Sequence, residues 1–240
     1  MIVLGIDSSA KSASCALYQD GKLLGESFLN NGLTHSQTLL PMVENLLKVA
    51  GVEPKDIGLF AVNNGPGSFT GIRIGVALCK GMAFAHGTPC VGVSTLESLA
   101  HNLGPTEALI CPVMDARCQQ VYNALFQWED GTLRRLCPDR AISIKELEEQ
   151  LKEQLKEQQK NVILVGDGAE LCYNNISKEN DFVRMAPEQN RFARGSSVAR
   201  LGQALYEEGK ATDGAGLVPV YLRPSQAERE RAEREKQQAK

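Results

Sequence analysis

The stretch from Ala61 to Val76, AVNNGPGSFTGIRIGV, constrains this chain more than any other. The apolar residues Ile57 to Val62 predict a strand, which runs directly into Asn63, Asn64, Gly65, Pro66 and Gly67. Gly65 and Gly67 permit positive φ and close approach of backbones, while Pro66 stiffens the turn. Ser68, Phe69 and Thr70 then lead into Gly71, Ile72, Arg73 and a helical pattern expected to run to Ala85. Ser68 and Thr70 are suited to cap that helix, whose first N–H groups could receive an anion. The Gly-Lys-Ser/Thr ending of a phosphate-binding loop is missing, and Arg73 is the nearest cation. On these residues alone the stretch is either a tight strand-to-helix turn or a ligand loop.

That helix is costly by itself. Gly71, Gly75, Ala77, Gly81, Ala83 and Ala85 punctuate it, and each interior Gly costs roughly 1 kcal/mol relative to Ala. It therefore needs support from packing, either within the chain or against another chain. The 240 residues are enough for two lobes. With 26 basic against 29 acidic side chains the net charge is −3, so no large basic face for RNA or DNA is advertised. No apolar run is long enough to span a membrane, and Asp7 comes too early for a signal peptide. Seven cysteines without a CxxC pair read as reduced thiols, and the cytoplasm is the expected compartment.

The chain opens with strands expected at Ile2–Ile6, Ser14–Tyr18 and Leu23–Phe28. Asp7, Ser8 and Ser9 follow the first. An aspartate at a strand end with short hydroxyl residues can hold a hydrated cation and phosphates, or can simply bond its own backbone in a polar hairpin. Thr34 and Gln37 have the spacing of a capping box before a helix carrying Leu39, Val43, Leu46 and Leu47, with Pro41 early in it and Gly51 at its end. His35 has no partner at metal-ligand spacing, so no metal site is expected. After a strand at Pro89–Val93, Ser94 and Glu97 predict a further helix, and Gly104-Pro105 marks a lobe boundary.

The second half restarts in the same way. Leu109–Met114 is an expected strand ending at Asp115, with Arg117 beside it, and Val121–Trp128 is the next. Strand, acidic loop and strand thus recur, which favours two related lobes around a cleft. Ser143 and Glu146 cap a helix with Ile144, Leu147, Leu151 and Leu155 on one stripe. A strand at Asn161–Val165 leads into Gly166 and Gly168, where a nucleoside could lie against the backbone. Residues 174–195 show no regular pattern, a helix is expected from Ser196 to Glu208, and Val218–Leu222 reads as extended. From Gln226 onward the chain is charged, with Glu230 and Arg234 at helical ion-pair spacing. The expected division is 1–104 and 105–217 as lobes, with 218–240 as an extended segment and charged tail.

In their order and over nearly the whole chain, GIDSSAKSASCAL, HSQTLLPMV, GPGSFTGIRIG, GVSTLESLA, VMDARCQQVY and PVYLRPSQAE resemble the bacterial TsaB (YeaZ) family. The resemblance implies an α/β, two-lobed actin-like/Hsp70-like (ASKHA, ribonuclease H-like) fold. It implies a companion of the transferase TsaD and the ATPase TsaE in making threonylcarbamoyladenosine (t6A) at adenosine 37 of tRNAs reading ANN codons. A non-catalytic role agrees with the lack of an HxxxH metal pair.

The family's first two long helices bundle with TsaD, or with a second copy when TsaD is absent. Carried over, that interface takes in His35, Leu39, Val43, Leu46, Gly75, Ala77 and Leu78. The alternative is an ATP-dependent, kinase-like transferase using Asp7, Ser8, Ser9 and Asp115 with ATP or ADP and Mg. A glycopeptidase finds no nucleophile with an identifiable base.

Overall fold

Continuous apolar runs in Ile2–Asp7 (β1) and Ile57–Gly65 (β4) mark strands covered on both faces, and these two form the centre of the first sheet. The computed structural model describes residues 1–158, 160–176 and 182–224. Ala13–Gln19 (β2) and Lys22–Leu29 (β3) continue the sheet antiparallel on one side, and Cys90–Ser94 (β5) continues it parallel on the other. The order is β3-β2-β1-β4-β5. His35–Ala50 (α1) and Phe69–His86 (α2) make the crossovers and cover one face, where Leu39, Val43 and Ile72 meet Leu4, Phe60 and Val62.

The second sheet repeats this plan. Leu109–Asp115 (β6) is central, flanked by Gln120–Asn123 (β7) and Val162–Val165 (β11), with Arg140–Ser143 (β10) and Val183–Met185 (β12) beyond them. Each step keeps the sense of its counterpart, antiparallel on one side and parallel on the other. Ile144–Gln158 (α4) and Ala169–Asn175 (α5) occupy the chain positions of α1 and α2. A hairpin of Phe126–Glu129 (β8) and Thr132–Arg135 (β9) is added at β6. The fold is the two-lobed actin-like (ASKHA) fold, and the recurrence of strand, acidic loop and strand is the trace of its internal symmetry.

Thr95–Ala100 (α3) packs on β6 as well as on β4 and β5, between the lobes. Gly195–Glu207 (α7) lies against the first sheet, where Val198, Ala199 and Leu201 cover Val3, Leu59 and Val91. Chain order puts α7 within residues 105–217; packing puts it on the sheet of residues 2–94.

Several local expectations change. Val121–Trp128 is broken into β7 and β8 because buried Asn123 turns its amide onto the carbonyls of Pro112 (3.0 Å) and Ala124 (2.9 Å). Residues 174–195 hold β12 and the short helix Glu188–Arg191 (α6). Thr34 makes no side-chain cap, so its capping box does not form, and α1 runs on through Pro41. α2 starts at Phe69 because Ser68 caps it by accepting from Gly71 N–H. Ser94 and Ser143 do cap, each accepting the N–H three residues on. All seven thiols are unpaired. The side chain of Leu155 and the tail beyond Gln226, with Glu230 and Arg234, lie outside the described residues.

Candidate functional site

The carboxyl ends of β1, β4, β6 and β11 converge on a cleft of about 490 Å³ between the sheets, where open α/β folds place their ligand sites. Ser9 and Lys11 line it from the loop after β1, and Gly67, Ser68, Phe69 and Thr70 from the turn into α2. Asp115, Arg117 and Asp167 face them from the second lobe, and residues 220–224 line it from the end of the described chain.

Asp7 stands just behind this wall. It is completely buried. Its Oδ1 accepts from Ser9 Oγ (2.6 Å), Asn63 Nδ2 (2.7 Å) and Ser9 N–H (3.3 Å), while Oδ2 has no hydrogen-bond partner. Burial pushes its carboxyl above the ordinary range, against the pull of those donors. Ser8 points the other way, donating to the Gly71 carbonyl at 2.8 Å. A Cβ at Gly71 would run into the Ser8 carbonyl, so glycine there is what lets α2 sit on the loop. Ser68 N–H donates to the Ser9 carbonyl at 2.7 Å and completes the lock. His35 adds to it by pairing Nε2 with the Ala10 carbonyl at 2.7 Å.

On the far wall, Asp115 is a turn former. Its Oδ1 accepts from Arg117 N–H at 2.8 Å, and Arg117 Nη1 lies 3.5 Å from its Oδ2. Arg117, Cys118 and Gln119 all take positive φ, an arrangement costly for non-glycine residues unless the surroundings impose it. Asp167 accepts from Asp115 N–H at 3.3 Å. Burial pushes it up to about 6; the Asp115 N–H opposes that rise and the Asp115 carboxylate adds to it. A Cβ at Gly166 would strike the Val113 carbonyl, and one at Gly168 would press on Met114 and Asp115. Glycine at both positions is required by the lobe's own backbone, and neither residue lines the cleft.

The loop Gly65–Gly71 is likewise committed to the chain. The Gly65–Pro66 peptide is cis, and Gly65 has φ 137° where a Cβ would meet the Val220 carbonyl. Val220 N–H donates to the Asn64 carbonyl at 2.7 Å, and Asn64 Nδ2 to the Val218 carbonyl at 2.9 Å. Phe69 stacks on Tyr221 with centroids 4.3 Å apart, and Arg73 lies 3.9 Å over Phe69 while donating to Tyr221 OH at 2.8 Å. Val218–Leu222 forms no regular strand, and its place is across the motif loop. Sequence reasoning did not find this pairing, nor the roles of Asn63 and Asp167. For Asp167 a signal existed, since it follows β11 as Asn63 and Asn64 close β4.

The tRNA threonylcarbamoyladenosine biosynthesis protein TsaB of Bacillus subtilis (strain 168) is 34% identical over 231 residues, covering 95% of this chain and 96% of that protein. The chain belongs to the TsaB family. It also falls within the wider family described as TsaD: tRNA N6-adenosine threonylcarbamoyltransferase, whose model matches residues 31–230. Against a transferase itself, from Chlamydia trachomatis serovar L2b, the match is 29% over 147 residues, 55% of this chain and 44% of that one. YeaZ from Pseudomonas aeruginosa has the same fold, with TM-score 0.75, 23% identity, and 92% and 99% of the two chains covered.

One expectation about the faces of α1 and α2 is corrected. Leu39, Val43, Leu46 and Gly75 are buried in the chain's own core and cannot face a partner. Amphipathic spacing located the buried stripe, which the first sheet already covers. His35 and Leu78 are half-buried; Ala77 is exposed. The outward face carries Leu40, Arg73, Ala77, Gly81 and Phe84, the last 90% exposed.

Of the residues suggested for a magnesium nucleotide, Ser9 and Asp115 line the cleft and the other four do not. Asp7 has no exposed surface, Ser8 is turned away, and Gly166 and Gly168 are occupied. No helix among the described residues is long and apolar enough to cross a membrane.

Proposed function

We propose that this chain is the non-catalytic companion of the threonylcarbamoyltransferase TsaD, required for t6A formation at adenosine 37 of tRNAs reading ANN codons. The observation that carries the reading is the outer face of α2. A Cβ at Gly81 would meet nothing within 4 Å. A glycine inside an exposed helix, with no neighbour to demand it, costs about 1 kcal/mol against Ala. Close approach by another chain's helix supplies the missing demand, and Ala77 and Phe84 flank it as a small seat and an apolar anchor. The full-length likeness to TsaB proteins, against a partial one to the transferases, supports the companion role over the catalytic one.

In this reading TsaD occupies the α1–α2 face, a second copy takes it when TsaD is absent, and TsaE and tRNA are met through the complex in the cytoplasm. ATP or ADP with Mg belongs to the complex rather than to Asp7.

The test is t6A formation on tRNA with purified TsaD, TsaE and an adenylate-generating enzyme, with this chain present, omitted, or supplied without TsaD. Activity is expected to need both proteins. Ala77→Glu and Phe84→Glu should each weaken TsaD binding at least about tenfold, because a charge is left unpaired in a packed interface. Modification by this chain alone, or undiminished binding by both variants, refutes the reading.

A further inference from the structure

We propose that residues 217–224 form a clasp that holds the two lobes at a fixed closure across the cleft. This goes beyond the companion role and does not depend on it. The chain crosses between lobes twice through its covalent path, outward after β5 and back before α7. Polar ties accompany those crossings. Ser94 Oγ donates to Asp139 at 2.6 Å, Arg135 pairs with Glu97 at 2.7 Å, and Asn102 donates to the Phe192 carbonyl at 2.7 Å. None of these residues lines the cleft. At the cleft, Ala10 of the first lobe packs against the cluster that holds Met114, an apolar contact that fixes no direction. Polar ties confined to the crossings therefore leave the lobes free to rock about them, as in hinge closure around ligands.

The strap supplies a polar, directional tie at the cleft itself. Its anchor on the first lobe is broad. Lys80 Nζ donates to the Leu217 carbonyl at 3.2 Å, Asn64 is bonded to both Val218 and Val220, and Tyr221 is gripped between Phe69 and Arg73. Leu217 itself is buried in the first lobe's core. The hook on the second lobe is narrow: Arg223 Nη1 donates to the Ala116 carbonyl at 2.6 Å. That carbonyl belongs to the turn closed by Ala116 N–H to the Gln120 carbonyl and by Asp115 to Arg117, so its direction is fixed. A charged donor on a fixed carbonyl is a strong single bond. With a rigid anchor at one end and such a hook at the other, the strap transmits tension between the lobes.

The experiment uses the full chain. Spin labels at Lys48→Cys on α1 and Glu153→Cys on α4, both exposed, report the inter-lobe distance in a Cys118→Ser background, Cys118 being the exposed cysteine among those described. With the strap intact a single narrow distance distribution is expected. Arg223→Ala and Tyr221→Ala should each broaden it and add a longer population, while Arg223→Lys, which keeps a cationic donor, should retain most of the narrow one. Hydrogen exchange at the Ala116 and Gln120 amides should rise about tenfold in Arg223→Ala, the loss of one bond to a charged group. Faster exchange with an unchanged distance would reduce Arg223 to a staple of its own turn and overturn the clasp. Unchanged distances in both alanine variants overturn it as well.

Discussion

Asp7 and Asp167 both sit where burial works against their charge, and they differ in what holds them. Asp7 is a buried acceptor whose Oδ1 takes three donors. Asp7→Asn keeps an acceptor there, so it is expected to change stability by no more than about 1 kcal/mol. Asp7→Ala strands Ser9 Oγ and Asn63 Nδ2, at about 1–3 kcal/mol for each unsatisfied group. Thermal melts of the two variants measure the contrast, and an Asn variant as damaged as the Ala variant would mean the charge itself is needed. Asp167 has a folded pKa of about 6, above its ordinary 3.8. Folding therefore takes up a proton between those values. Its stabilising contribution is complete below about 3.8 and is lost as pH rises through about 6. Asp167→Asn should flatten that part of the stability–pH curve and raise stability at pH 7, on the order of 1 kcal/mol after allowance for its partial exposure. Denaturant titrations at pH 4, 6 and 7 check the sign.

Among the elements, α2 carries two kinds of glycine, and substitution separates them. Gly71→Ala drives a Cβ into the Ser8 carbonyl and should destabilise the fold by about 1–3 kcal/mol, with the β1–β2 loop displaced. Gly81→Ala meets open space and should stabilise the isolated chain by about 1 kcal/mol. If a partner helix closes on that face, the same methyl should weaken the complex. A variant more stable alone yet no weaker as a partner would place the interface elsewhere. Val43→Glu belongs to neither test, because Val43 is inside the core and a charge placed there should destabilise the lobe.

At the scale of the molecule, two copies of one topology face each other, and the end of the described chain ties them across the gap. The first sheet is covered on one face by α1 and α2 and on the other by α7, which arrives from the far end of the sequence. Removing α7 should therefore unfold the first lobe rather than trim the second. A truncation after residue 194 that kept a cooperative first-lobe transition would contradict this. The lobes are thus interlocked in chain order, and their division is spatial.

Local chemistry was legible where it acts over a few residues. Apolar runs marked β1, β4 and β6, Ser68, Ser94 and Ser143 marked helix starts, and Gly51 closed α1 in a left-handed cap. The repeated strand, acidic loop and strand disclosed the two lobes because each copy must bury the same two central strands. Tertiary structure alone decided which surface a residue meets. Val43 and Ala77 both follow helical spacing, yet one is sealed under the first sheet and the other looks outward. Gly71 and Gly81 have the same chemistry and opposite surroundings. Val218–Leu222 reads as extended in sequence, but a segment's own residues do not say which backbone it will meet. Its contacts with Asn64 and Phe69 join positions about 150 residues apart, and such pairings exist only once the chain has closed on itself.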